Sequence, residues 1–214
     1  MDGEAKLRRC ILGGNALFVG VVTAIVAAFV YVPAAGRVAD SDYFQIGSFV
    51  GGIVSVVLLL LAVYVFKSHT FQRFVYVFVG LAMTALLIVA AGYTSSKSVV
   101  IVSLVAAAVL TGVAALIGAN SRSVSYLYPA LVGLGVLFTI GMVMLFFLRA
   151  HWFEVSISTV GVALFTALSV YNANEFVKKR RCTHNCCEEG VFSLFLNFVN
   201  VASNLIDINS SQVA

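Results

Sequence analysis

The chain has 214 residues, 61% hydrophobic and 10% charged, with two prolines and a mean hydropathy of +1.04. Soluble domains hold about 45–50% apolar residues, so this composition excludes a water-soluble globular protein and identifies an integral membrane protein. The net charge of +4 does not signal nucleic acid, because the basic residues are sorted along the chain as membrane topology sorts them.

About 20 apolar residues in a helix cross a hydrocarbon core about 30 Å thick. Seven runs reach that length, over approximately 12–35, 44–66, 74–93, 99–119, 126–148, 155–177 and 190–208, separated by polar breaks such as "KSHTFQR", "TSSKS" and "RAHWFE". The expected fold is all-α, an integral membrane seven-helix bundle with short ends at residues 1–11 and 209–214. Six spans with a half-inserted last helix is the alternative. The basic N-terminus "MDGEAKLRRC" precedes an apolar run too long for a signal peptide, so the first run reads as an uncleaved span. Gly51, Gly52, Gly112, Gly118, Gly133 and Gly135 lie within spans, where small residues are expected to serve close helix packing.

Seven crossings put ten of the thirteen Lys and Arg on the side of the N-terminus: Lys6, Arg8, Arg9, Lys67, Arg73, Arg122, Lys178, Lys179, Arg180 and Arg181. Arg37, Lys97 and Arg149 lie on the other. In short loops this bias places the N-terminus in the cytosol and the C-terminus in the lumen or outside. The run "KKRR" beside a span then reads as a topology anchor. "NSS" at Asn209 is a glycosylation sequon on the lumenal side.

Three of the four cysteines crowd into "CTHNCC" with His184 between them. Ligands that close together, beside four cations, do not have the spacing of a structural zinc site, and no metal is expected. Free thiols are the default reading; palmitoylation of Cys182, Cys186 and Cys187 is the modification such juxtamembrane thiols support. No stable disulfide is expected for them or for Cys10 on the cytosolic side.

The last span is the least ordinary. A rotation of about 100° per residue sets Ser193, Asn197, Asn200, Asn204 and Asp207 within an arc of about 80°. An unpartnered amide in an apolar medium costs about 2–7 kcal/mol, so this face should look into the bundle and away from lipid. Tyr171, Asn172, Asn174 and Glu175 in "VYNANEF" form its counterpart at the end of the sixth span. Two readings stay open, helix–helix glue and the lining of a polar pathway.

"SVYNANEF" resembles the "IVYDTQ" motif that ends the sixth helix of the Bax inhibitor-1 (TMBIM) family, and "FSLFLNFVNVA" resembles that family's last-helix motif. The stretch from Val99 to Phe147 is similar to its fourth helix, polar turn and fifth helix. The resemblance implies a seven-helix bundle of endoplasmic reticulum, Golgi or other endomembranes that leaks Ca²⁺ from stores and restrains cell death. It also implies gate positions at Asn172, Asn197 and Asn200. In the family an aspartate pair that senses pH occupies the first two of these; here both are amides, which cannot exchange a proton near neutral pH. Such motif drift suits a divergent, virus-encoded copy.

No enzymatic activity and no cofactor are expected. The last span has no lysine for a retinal Schiff base, no paired acids lie within a span, and His69, His151 and His184 fall between spans. The expected partners are the lipid bilayer, Ca²⁺ and other membrane proteins, with no nucleic acid. A non-conducting scaffold that acts by binding membrane proteins is the alternative function.

Overall fold

The computed structural model describes residues 2–65, 68–92, 96–145, 147–148, 150–178 and 186–211. Among these the secondary structure is entirely helical: α1 (Asp2–Tyr31), α2 (Pro33–Ala39), α3 (Asp42–Tyr64), α4 (His69–Gly92), α5 (Lys97–Asn120), α6 (Leu127–Leu145), α7 (His151–Lys178) and α8 (Cys186–Ser211). All but α2 are long and apolar enough to cross a membrane.

The boundaries follow local chemistry. α1 stops at Tyr31 because Pro33 drives Val32 into an extended conformation, φ −90° and ψ 112°. The expected first span therefore splits, and the proline opens the short α2 where its missing N–H is harmless. Ser41 caps α3 by accepting from the Phe44 amide at 3.3 Å, with Asp42 in the first turn. His69 and His151 prove to be the first residues of α4 and α7.

α8 is the axis of the bundle, packed against α7, α5, α1 and α4, while α3 leans on α4 and α6 on α7 at the periphery. Phe195, Phe198, Leu194 and Ile206 of α8 are buried. The Phe195 ring meets Phe18 of α1 edge-on at 4.9 Å, and Phe192 stacks on Tyr76 of α4 at 4.6 Å. Aromatic pairs of this kind add about 0.5–1.5 kcal/mol each beyond their burial. The outer face of α3 (Phe49, Ile53, Val56, Leu60) and that of α6 (Val136, Leu137, Ile140) are equally apolar but exposed, as lipid-facing surfaces are.

The glycines divide. A Cβ at Gly118 would collide with the Val170 backbone of α7, and one at Gly52 would lie 2.9 Å from Leu86 of α4; Gly51 faces Ala82 at 3.6 Å. Those three act as expected. At Gly112, Gly133 and Gly135 a Cβ would meet nothing within 4 Å, so the close-packing expectation is corrected for them: these positions face open space.

Candidate functional site

The polar arc of α8 is turned toward α7. Toward the start of α8, Asn172 donates from Nδ2 to Ser193 Oγ at 2.8 Å. Three turns further along α8, Asn204 Oδ1 lies so close to Gly161 that a Cβ there would approach it to 2.5 Å. Asn197 sits between these contacts, 5% exposed, with no acceptor for its Nδ2. Asn200 and Asn204 each donate backward along their own helix, to Leu196 O at 2.8 Å and to Asn200 O at 2.7 Å. The two amides at the expected gate therefore do not pair with each other through these donors. Asn172 is held by Ser193, one turn before Asn197, and Asn197 Nδ2 is left unsatisfied.

The "VYNAN" turn of α7 reaches three neighbours at once. Tyr171 meets the Tyr128 ring of α6 at 5.9 Å, and Asn172 reaches α8. Asn174, 6% exposed, donates to Gly118 O and Ser121 O, both at 2.8 Å. Asn174 thus adds a side-chain donor to two carbonyls at the end of α5, of which Gly118 O also accepts from the Ser121 amide at 3.2 Å, a structural role that sequence reading did not assign. Gly118 makes the approach possible. Glu175 is exposed, as its place near a helix end suggested. Asp207 is half-buried in the last turns of α8.

Four buried hydroxyls elsewhere are self-sufficient, whereas the buried Thr23 Oγ1 and Thr166 Oγ1 have no partner. Ser48, Ser55, Thr84 and Thr111 each donate to the carbonyl four residues earlier, at 2.7 Å in every case. These four mark no pathway.

At the other end of α8 the sequon nitrogen, Asn209 Nδ2, donates to the buried Ser103 Oγ of α5 at 2.8 Å. The atom a glycan would need is engaged inside the bundle, and the residue lies in the last helical turn, so this geometry runs against glycosylation at Asn209.

The basic end holds the largest departure from expectation. Cys10 of α1 and Cys187 of α8 form a disulfide with Cα atoms 5.9 Å apart, and Cys186 is also disulfide-bonded. The absence of disulfides expected above is overturned for these residues, and neither Cys186 nor Cys187 offers a free sulfur for acylation here; Cys182 and His184 lie outside the described residues. The physical reason is adjacency. Both helices begin at the same end of the bundle, where Arg73 of α4 pairs with Glu188 at 2.6 Å and Arg8 donates to Asn120 of α5 at 2.7 Å. A link across 177 residues of sequence constrains the unfolded chain by up to about 5 kcal/mol in the chain-entropy description.

The charge bias leads to the expectation that this end lies in the reducing cytosol, whereas a stable disulfide belongs to an oxidising compartment. A membrane-impermeant maleimide of high mass distinguishes the two. If the bond persists in the cell, Cys10 and Cys187 become labelled only after reductant is added. Labelling in untreated cells once the plasma membrane is opened would place reduced thiols in the cytosol.

Together, the seven long apolar helices and the amide stripe between the last two define a multi-pass, all-helical membrane protein with a polar seam at its centre. The chain belongs to the Bax inhibitor family: residues 11–212 match the family model described as inhibitor of apoptosis-promoting Bax1. No curated protein matches the chain.

Proposed function

We propose that this protein is a non-enzymatic Ca²⁺ leak of an endomembrane, with its N-terminus in the cytosol, whose conduction does not follow pH. The observation that carries the reading is Asn197, a buried carboxamide at the centre of the seam with no acceptor for its Nδ2. In a bilayer such a group is costly unless water or a hydrated ion completes it. One turn away, Asn172 and Ser193 present further neutral oxygens. Neutral amides can replace part of an ion's hydration shell but exert no net charge on it, and they hold the same charge at every physiological pH. Where the family motif has aspartates, this seam has groups that do not titrate.

Purified protein in Ca²⁺-loaded liposomes tests the reading. Efflux above that of empty liposomes, constant across the neutral pH range, is expected; absence of efflux at every pH would remove the channel.

The scaffold reading is favoured by a different observation. Asn174 and Asn209 spend their donors on α5, as helix glue does. Crosslinking to a specific membrane partner through residues 178–189, without flux, would support it.

A further inference from the structure

A groove of about 780 Å³ runs between α1 and α5. On α1 it extends from Leu12 to Ala27, about 22 Å along the helix axis. Its floor is made of small residues, Ala16, Gly20 and Ala24 on α1 and Ala108 and Gly112 on α5. Small residues four apart ordinarily draw two helices together. Here they do not: a Cβ at Gly20 or at Gly112 would meet nothing within 4 Å. The small residues leave space between the helices, and the groove opens outward at Ala16, Gly20 and Val105, which are all exposed.

The lining is apolar apart from Asn15 and Thr23, and carries no charge. Asn15 is 5% exposed and its Oδ1 has no donor; Thr23 Oγ1 has no partner. An orphaned acceptor in hydrocarbon is a standing cost that no water relieves. An occupant that suits this groove is therefore uncharged, elongated and apolar, and brings one hydrogen-bond donor to Asn15. Depth narrows the choice. Asn15 lies seven residues, about 10 Å, below Arg8, which is fixed at the polar end of the bundle by Asn120. A donor at that level with a stiff apolar body below it is the arrangement of a membrane sterol. A phospholipid brings charge and ester acceptors instead. Thr23 is about 12 Å deeper than Asn15, beyond the same hydroxyl.

We propose that the α1–α5 groove is a sterol site, with the sterol hydroxyl donating to Asn15 and the flat ring system lying on the Gly20–Gly112 floor. The inference is independent of ion conduction.

The test uses full-length protein in vesicles containing a photoactivatable sterol, with labelled peptides mapped by mass spectrometry. Labelling is expected to concentrate on α1 and α5, and to be displaced by unlabelled sterol better than by diacylglycerol or by the sterane that lacks the hydroxyl. Gly112→Leu, at a position where added atoms meet no neighbour, should abolish the site while leaving the melting temperature unchanged; Gly20→Leu provides the same block from the facing helix. Asn15→Ala should weaken displacement about three- to tenfold, the loss of one neutral hydrogen bond. Label spread evenly over the lipid-facing helices, label unaffected by both leucine variants, or equal displacement by diacylglycerol would overturn the proposal.

Discussion

Asn172→Asp combined with Asn197→Asp is expected to convert a pH-indifferent leak into one that responds to protons. Two carboxylates on the α7–α8 seam, separated by about one helical turn, repel each other: unit charges about 5.4 Å apart interact by about 3 kcal/mol at an effective dielectric near 20. The pair will hold a shared proton well above the usual carboxylate range. As pH rises that proton leaves, the seam gains charge, and a divalent cation is drawn in; as pH falls the pair takes up protons and Ca²⁺ flux through the variant declines. Stability moves the opposite way. A carboxylate whose folded-state pKa lies above its unfolded value costs stability as pH rises from the unfolded value through the folded one, so the variant should melt lower at neutral than at acidic pH. Liposome flux and thermal melting, each measured across pH in wild type and variant, check both. A variant as flat as wild type would show that the two positions do not share an environment.

Gly118→Ala should be among the most damaging single-methyl changes in the chain. The new Cβ would overlap the Val170 carbonyl and its backbone neighbours, atoms that no rotamer change can move. α5 and α7 must then separate, and the two Asn174 hydrogen bonds to the end of α5 go with them. Overpacking of about 1–3 kcal/mol and the loss of bonds to buried carbonyls at about 1–3 kcal/mol make a total near 3 kcal/mol or more. Gly112→Ala in the same helix, with nothing within 4 Å of its Cβ, should be neutral or stabilising by up to about 1 kcal/mol, the helix preference of alanine over glycine. Melting temperatures of the two variants in one detergent separate the cases; equal losses would contradict the α5–α7 packing.

That contrast shows where sequence reading stops. Both glycines lie in the same apolar span, and nothing in their neighbours distinguishes the one that touches Val170 from the one that faces a groove. The same limit hides the axis of the bundle. Phe195 is fully buried and Phe49 is 66% exposed, yet both sit in runs of like composition, because lipid and protein interior are equally apolar and hydropathy does not tell them apart. Polar residues within spans are more informative, since hydrocarbon penalises them wherever they point outward. The 100° rotation puts Ser193, Asn197, Asn200, Asn204 and Asp207 on one arc, and of these Ser193 and Asn204 meet α7. Which partner each amide takes was not legible: Asn172 reaches Ser193 and not Asn197, Asn174 serves α5, and Asn209 is tied to Ser103. The Cys10–Cys187 bond was hidden for a simpler reason. It depends on two helices beginning side by side, and chain distance carries no trace of that.

The α7–α8 facing can be measured directly by intramolecular crosslinking. Asn172→Cys and Ser193→Cys, in a background with the four native cysteines changed to serine and a protease site inserted in the segment 179–185, should join on mild oxidation, since the native side chains stand 2.8 Å apart. The two fragments should then stay together on a non-reducing gel after cleavage. Asn172→Cys paired with Phe195→Cys, whose native ring points at Phe18 of α1, should let them separate. Crosslinking through position 195 and not through 193 would turn the amide stripe away from α7 and contradict the shared polar seam.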